Sequence, residues 1–163
     1  MKKISPFLWF DSQAEEAMKF YTSIFKNSKI INIKYWGENN PFPDGNAMAG
    51  KVMNGTFELD GQLFQCMDAG PQFKFTEAIS MFVSCKTQEE VDYFWEKLTA
   101  DGGQESMCGW LKDKFGLSWQ IVPTALEALL HDPDPEKSQR VMQAMLQMKK
   151  IDIDALKQAH EQG

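Results

Sequence analysis

The chain has 163 residues, of which 43% are hydrophobic and 12% aromatic, and its formal net charge at pH 7 is −6. This composition is typical of one globular domain with a buried core, and it excludes a largely disordered chain. The acidic balance, with no basic run longer than a pair, argues against nucleic acid or an anionic membrane as a partner.

No apolar run approaches the length of a membrane span, and the first residues lack the apolar stretch of an export signal. The three cysteines, Cys66, Cys85 and Cys108, are odd in number and share no close spacing. This pattern is typical of unpaired thiols in a reducing compartment, not of a disulfide framework or zinc finger. We therefore expect a cytoplasmic protein without a membrane partner.

The first predicted elements are an apolar strand over residues 7–10 and a helix that begins at a capping box, Ser12 to Glu15. Apolar residues at helical spacing follow, and a second strand is predicted over 29–36. Residues 37–45 read as a loop because they are rich in Asn and Pro. Strands over 51–59 and 62–67 flank Asp60-Gly61, which predicts a two-residue hairpin turn.

The same order then recurs. A strand over 79–83 precedes a second capping box, Thr87 to Glu90, and a helix that ends at Gly102-Gly103. Strands are predicted over 104–108, 110–114 and 117–122. Glu15-Glu16 matches Glu89-Glu90, and Phe20-Tyr21 matches Phe94-Trp95, at a constant offset of 74 residues. The chain thus predicts two copies of a βαβββ unit, with a site between them.

Residues after Pro123 predict helices. The first is a short helix over 124–131, which ends at a break over 132–135. A second helix then runs through residue 150, and Asp152 or Asp154 caps a last one. This tail packs over the sheet or forms a dimer contact. Its methionine-rich face, with Met142, Met145 and Met148, is either core or an adaptable binding groove.

Several segments carry a family resemblance: Phe10-Asp11-Ser12, Phe20-Tyr21, Phe73-Lys74-Phe75, and above all the block from Cys108-Gly109-Trp110 to Pro123. With the duplicated unit, they resemble the vicinal oxygen chelate (glyoxalase/bleomycin-resistance/dioxygenase) superfamily. Within it, the chain is similar to the PhnB-type group labelled 3-demethylubiquinone-9 3-methyltransferase-like. The resemblance implies an α+β fold of two βαβββ modules, residues 1–70 and 71–123, in a curved, cup-like sheet within one domain.

The resemblance also implies a homodimer and a divalent metal bound in the cup of catalytic relatives, and its matching residues continue into the helical tail predicted over 124–163. The four metal-ligand positions fall on Pro6 and Ser80 in the first strands and on Gln65 and Gln120 in the last strands. These residues are neutral and one has no donor, so we expect neither a metal nor another cofactor.

A pocket for a small molecule remains as an expectation. Strand alternation predicts that the face of the two glutamines also carries the following residues: Leu8, Phe10, Leu63, Met67, Phe82, Ser118 and Val122. Apolar walls with a few convergent polar groups are typical of a ligand pocket. Alternatively, Gln65 and Gln120 hydrogen-bond each other or water inside the sheet.

Cys108 and Trp110 join the pocket candidates because they lie in the most family-specific block. Cys108 is either a reactive thiol or a small buried residue, and no histidine is near it in sequence. Asp113 is expected to hold the turn around Gly116. Trp9 and Trp119 have the parity of the helix-packed face and are expected in the core.

Three functions remain open. The first is a metal-free protein that binds a small molecule. The alternative is an enzyme, an isomerase, lyase, dioxygenase or transferase, with a relocated or absent metal site. A role limited to dimerisation or scaffolding is a third reading. The methyltransferase label finds no support in the sequence, since no glycine-rich loop joins a strand to a helix N-terminus.

Overall fold

The computed structural model describes residues 3–162 of the chain. They form two compact units that divide between Lys74 and Phe75. Each unit contains one four-stranded mixed sheet with helices, so the predicted α+β class and the duplicated βαβββ order are confirmed. No helix within residues 3–162 is both long and apolar enough to cross a membrane.

The first unit follows the predicted order, with one added short helix in the loop after the second strand. Its elements are β1 (Phe7–Phe10), α1 (Ala14–Ile24), β2 (Lys29–Tyr35), α2 (Gly45–Met48), β3 (Val52–Leu59) and β4 (Gln62–Asp68). The strand order in the sheet is β1-β4-β3-β2. β1 runs parallel to β4, and the other pairs are antiparallel.

The turn between β3 and β4 is the predicted one. Asp60 and Gly61 both have positive φ, 48° and 78°. Two successive residues with positive φ give the turn whose twist matches that of the flanking strands, which is why Asp-Gly is favoured there. The turn fixes the β3–β4 register, in which Phe57 lies opposite Phe64.

One face of the first sheet packs against α1. The helix buries a stripe of residues that recur every three or four positions: Ala14, Ala17, Met18, Tyr21 and Ile24. At Gly55 the helix comes so close that a Cβ would lie 2.6 Å from the Met18 sulfur and 2.9 Å from the Cys66 sulfur. The side chain of Cys66 therefore marks the helix-packed face of β4.

The N-terminus of α1 is capped from the sheet and not by the predicted capping box. The N-cap is Gln13, whose side chain makes no cap bond. Instead, the carboxylate of Asp68 accepts hydrogen bonds from the Ala14 amide at 2.9 Å and from the Val52 amide at 3.0 Å. The capping box at Ser12 is thus wrong, because the helix begins one residue later than it requires.

The second unit repeats the strand pattern. It comprises β5 (Met81–Cys85), α3 (Gln88–Thr99), a 3₁₀ turn (Ala100–Gly102), β6 (Gln104–Glu105), β7 (Trp110–Lys112) and β8 (Ser118–Pro123), with sheet order β5-β8-β7-β6. The Thr87 hydroxyl caps α3 by accepting from the Glu90 amide at 3.1 Å. The Glu90 carboxylate reaches back to the Lys86 amide, so the second capping box is confirmed with a shift of one residue.

The tail forms three helices that complete the second unit. They are α4 (Thr124–Leu130), α5 (Pro135–Leu146) and α6 (Ile153–Glu161), with Asp152 as the N-cap of α6. The helices enclose a buried cluster with the end of β8: Val122, Leu126, Val141, Ile151 and Leu156. Met145 and Met148 pack against this cluster, whereas Met142 is 40% exposed. The core reading of the methionine face thus holds for two of these three methionines.

Candidate functional site

A glutamine–serine pair joins the first and last strands of the first unit. The Nε2 of Gln65, in the middle of β4, donates a hydrogen bond to the Oγ of Ser5 at 3.2 Å. Ser5 lies two residues before β1, where the chain is still held to β4 because the Pro6 carbonyl accepts from the Gln65 amide at 2.9 Å. The parallel pairing of β1 with β4 thus brings together two side chains that are 60 residues apart.

The second unit contains the equivalent pair. The Nε2 of Gln120 in β8 donates to the Oγ of Ser80 at 2.9 Å. Phe82 lies beside Gln120 in the strand register, as Phe7 lies beside Gln65. The equivalent of Ser80 in the first unit is therefore Ser5. The expectation that Pro6 occupies this position is wrong by one residue.

The error has a structural cause, because the strands and helices of the two copies are related by different offsets. The buried stripes of α1 and α3 match at 74 residues, for example Tyr21 with Trp95. The first strands match at 75 residues, Phe7 with Phe82, because the strand–helix connection differs in length by one residue. A sequence signal does mark the correct offset: Ile4-Ser5-Pro6-Phe7 and Ile79-Ser80-Met81-Phe82 share Ile-Ser-x-Phe.

The open face of the first sheet carries Phe7, Leu63 and Met67 together with Gln65. The register places Phe7 beside Gln65, and Leu63 and Met67 alternate with it along β4. Phe7 is 51% exposed. The expected positions of Leu63 and Met67 relative to Gln65 are those observed.

Three side chains of β1 lie on faces opposite to those expected. Leu8 and Phe10 are 5% and 3% exposed, and the register pairs Leu8 with Cys66 on the helix-packed face. Trp9 pairs with Met67 and is half-buried on the open face, where its indole N–H donates to the Gly70 carbonyl at 2.9 Å. The one-residue error in register reverses every side chain of the strand.

In the second unit, the open face around Gln120 agrees better with the expectation. Phe82 and Trp110 flank Gln120 on the two neighbouring strands, since both are its direct register partners. Alternation along β8 places Ser118 and Val122 on the same face. Val122 is also part of the core formed with the tail helices.

The family model described as 3-demethylubiquinone-9 3-methyltransferase matches residues 2–122. The chain belongs to this family. A Bacillus cereus member of the family, described as a 3-demethylubiquinone-9 3-methyltransferase, PhnB protein, is 41% identical, with a TM-score of 0.67 over 75% of this chain and 99% of that chain. The observed order of elements is therefore the glyoxalase/bleomycin-resistance fold of the vicinal oxygen chelate superfamily.

Two solved structures of lower sequence identity share the fold of the present chain. Protein PA1353 from Pseudomonas aeruginosa is 18% identical, with a TM-score of 0.63 over 76% of this chain and 98% of that chain. The fosfomycin resistance protein FosX from Listeria monocytogenes is 18% identical, with a TM-score of 0.52 over 78% of this chain and 94% of that chain. No curated protein matches the chain.

The donor set of the present chain does not fit the divalent metal that the superfamily implies. The two pairs supply serine hydroxyls and glutamine amides, which carry no charge to offset the desolvation of a divalent ion. Within residues 3–162, no group of three or more His, Cys, Asp or Glu side chains could hold a metal ion. Neutral hydrogen-bonding groups beside exposed aromatic rings are instead suited to an uncharged organic ligand.

Asp113 stabilises the β7–β8 turn, as expected. It is 3% exposed, and its Oδ1 accepts from the Phe115 amide at 2.9 Å and the Leu117 amide at 3.1 Å. Its Oδ2 accepts from the Trp119 indole N–H at 2.8 Å. Trp119 is 2% exposed, which confirms its expected place in the core.

The three cysteines of the present chain differ in how deeply they are buried. Cys66 and Cys85 are buried, and burial raises the pKa of each thiol to about 12. Cys108 is half-buried, has a positive φ of 60° and donates its amide to the Met148 carbonyl. The backbone of Cys108 therefore anchors the tail to the loop before β7, a structural role that sequence reasoning missed.

Proposed function

We propose that this protein binds a small, uncharged organic molecule through the open sheet faces that carry the glutamine–serine pairs. One observation carries the proposal. Both units keep a Gln-to-Ser hydrogen bond beside a phenylalanine that is about half exposed, Phe7 at 51% and Phe82 at 53%. Apolar side chains that stay in water around oriented amides are typical of a surface that a ligand covers.

The amides retain capacity for a ligand. Each glutamine uses one N–H on its serine, which leaves the second N–H and the carbonyl oxygen as donor and acceptor. Each serine hydroxyl accepts from the glutamine and keeps its own O–H as a donor. Each pair can thus orient a polar ligand on its own sheet face without any charge, which supports binding over metal-dependent catalysis.

Ligand screening by thermal shift tests the proposal, because a ligand that binds only the folded protein raises the apparent stability. Wild type should gain stability with a subset of uncharged aromatic or heterocyclic compounds. Gln65→Leu or Gln120→Leu should weaken that gain, since leucine keeps the apolar volume and removes the amide. Gln143→Leu, on the exposed face of α5, is the control. A full gain in both pair variants would contradict the proposal.

Metal analysis of the purified protein addresses the enzyme alternative. Our proposal expects less than stoichiometric metal after purification without chelator. A tightly bound transition metal at one equivalent per chain would overturn it in favour of an enzyme with relocated ligands. This measurement is independent of the ligand screen.

We also propose that the protein is a cytoplasmic homodimer. Three free cysteines within residues 3–162 support a reducing compartment. Exposed large apolar side chains, Ile4 at 85%, Phe73 at 65% and Ile79 at 60%, support a surface covered by a second copy. Sedimentation equilibrium at micromolar concentration should give twice the chain mass, and a monomer at all concentrations would exclude the dimer.

A further inference from the structure

The row of side chains across Gln120 differs from the row across Gln65. In the second unit, Gln120 has Phe82 as its partner on β5 and Trp110 as its partner on β7. In the first unit, Gln65 has Phe7 on one side and Thr56 on the other. Only the Gln120 row therefore places an amide between two aromatic side chains.

The spacing of this row suits a flat ring. Neighbouring strands lie about 4.8 Å apart, so the backbones of Phe82 and Trp110 are separated by roughly 9.6 Å, with Gln120 midway. A ring centred over Gln120 would lie about 4.8 Å sideways from the backbone of each flanking residue, so the Phe82 and Trp110 side chains can reach its two sides. Phe82 is 53% exposed, so this side of the row is accessible.

Unused polar groups surround the row. The Ser118 hydroxyl is 1% exposed and has no hydrogen-bond partner, and it lies on the Gln120 face two residues earlier in β8. Within residues 3–162, the indole N–H of Trp110 also makes no hydrogen bond, whereas those of Trp9 and Trp119 do. The Ser118 hydroxyl is buried beneath the open face, so the Trp110 indole N–H is the unused donor that a ligand on this row could meet.

From this geometry we infer a ligand class: a planar aromatic ring that carries a lactam edge, with adjacent carbonyl and N–H groups, binds between Phe82 and Trp110. The Gln120 amide oxygen accepts the lactam N–H, and its second N–H donates to the lactam carbonyl. The Ser80 hydroxyl holds the amide in this orientation at 2.9 Å. This inference rests on the proposed function and names the ligand class for one of its two faces.

The test uses 2-quinolone as the probe, with the full chain labelled with ¹⁵N for NMR titration. We expect 2-quinolone to shift the side-chain signals of Gln120 and Trp110. 1-Methyl-2-quinolone has the same rings but no N–H, and δ-valerolactam has the lactam but no aromatic ring. Both should bind at least about tenfold more weakly, since each lacks one of the two interactions.

Matched variants test the row. Phe82→Leu and Trp110→Leu should each weaken 2-quinolone binding about tenfold, because each removes one stacking partner. Tyr93→Leu, an exposed aromatic position on α3 outside both open sheet faces, is the control and should leave the affinity unchanged. Because Phe82 and Tyr93 are both exposed, neither substitution removes a core side chain.

Several outcomes would overturn the inference: no binding of 2-quinolone, equal binding of either analogue, or equal loss in Tyr93→Leu and Phe82→Leu. If screened compounds bind at Gln120 while 2-quinolone does not, the ligand class is wrong and the proposed function stands. If no compound binds and 2-quinolone fails as well, both are wrong.

Discussion

The side-chain amide of Gln120 donates to the hydroxyl of Ser80 at 2.9 Å, across the parallel pair formed by β5 and β8. Parallel neighbours have evenly spaced, slanted backbone bonds, and this side-chain bond connects the strands just before β5 begins. The same bond recurs between Gln65 and Ser5. Both units therefore fix the entry of their first strand with the residues that we assign to ligand binding.

Loss of this bond should affect stability modestly. Ser80→Ala removes the acceptor of the Gln120 amide, and a neutral, partly exposed hydrogen bond contributes about 0.5–1.5 kcal/mol to the free energy of unfolding. Urea denaturation followed by circular dichroism should show a loss of about 1 kcal/mol. Ser84→Ala, at an exposed position of β5, is the matched control and should change stability little. A larger loss at Ser84 than at Ser80 would contradict the assignment.

Asp113 should be far more sensitive. Alanine at this position leaves three N–H donors without their acceptor, those of the Phe115 and Leu117 amides and the Trp119 indole. Buried donors deprived of a charged acceptor cost about 1.5–3 kcal/mol each, so Asp113→Ala should lose at least about 3 kcal/mol. Denaturation should show the loss, with Glu105→Ala on the exposed edge strand as the control. Unchanged stability would mean that water replaces the carboxylate.

The sequence predicted the elements whose signals are local. The Asp60-Gly61 turn, the Thr87 cap and the buried stripe of α1 each depend on residues that are close together in sequence. Such signals survive folding because the partners are neighbours in sequence. The α1 cap was missed because its acceptor is Asp68, 54 residues away.

The site was predicted in part, for a related reason. The repeat of the last strands predicted that Gln65 and Gln120 hold equivalent strand positions, which the register shows, because a hairpin fixes that register locally. Leu8 and Phe10 were placed on the wrong face, because the β1 register depends on parallel pairing with β4, a contact remote in sequence. An offset measured on the helices cannot set it, and one residue of error reverses the strand.

The pH dependence of stability should contain a contribution from Asp68. Burial raises the pKa of this carboxyl above its ordinary value of 3.8, although the Val52 and Ala14 amides oppose the shift. A carboxyl with a higher pKa in the folded state binds more protons there, so its contribution favours folding at low pH. That contribution is lost as the pH rises from 3.8 through the raised pKa.

Two variants measure this contribution. The stability of wild type relative to Asp68→Asn should fall as the pH rises through that window and then become constant. Asp92→Asn is the control with the opposite sign, because hydrogen bonds from Lys150 and Gln88 lower the pKa of Asp92. Wild type should lose stability relative to Asp92→Asn as the pH falls. The same slope in both comparisons would exclude our explanation.

Thiol labelling should distinguish the three cysteines. Since burial raises the pKa of Cys66 and Cys85 to about 12, neither forms appreciable thiolate in the folded protein at pH 8. Iodoacetamide followed by peptide mass spectrometry should therefore label Cys108 alone, and all three thiols after unfolding in urea. Rapid labelling of Cys66 in the folded protein would indicate that α1 opens readily from the sheet.

Gly109 should tolerate substitution less well than Gly116, although both have positive φ, 83° and 89°. A Cβ on Gly116 meets no atom within 4 Å, so Gly116→Ala bears only the cost of the left-handed backbone, about 1–2 kcal/mol. A Cβ on Gly109 would lie 2.9 Å from the Ile121 carbonyl oxygen and 3.2 Å from the Ile151 side chain.

The clash at Gly109 is costly because neither neighbour can move freely. The Gly109 carbonyl accepts from the Ile121 amide at 2.8 Å, and its own amide donates to the Lys149 carbonyl at 2.8 Å. Ile151 is fully buried in the tail cluster. Gly109→Ala should therefore lose about 1–3 kcal/mol more than Gly116→Ala in urea denaturation, as overpacked sites do. Equal losses would mean that the loop before β7 and the tail can separate without cost, so that the Cys108–Gly109 anchor contributes little to the packing of α4, α5 and α6.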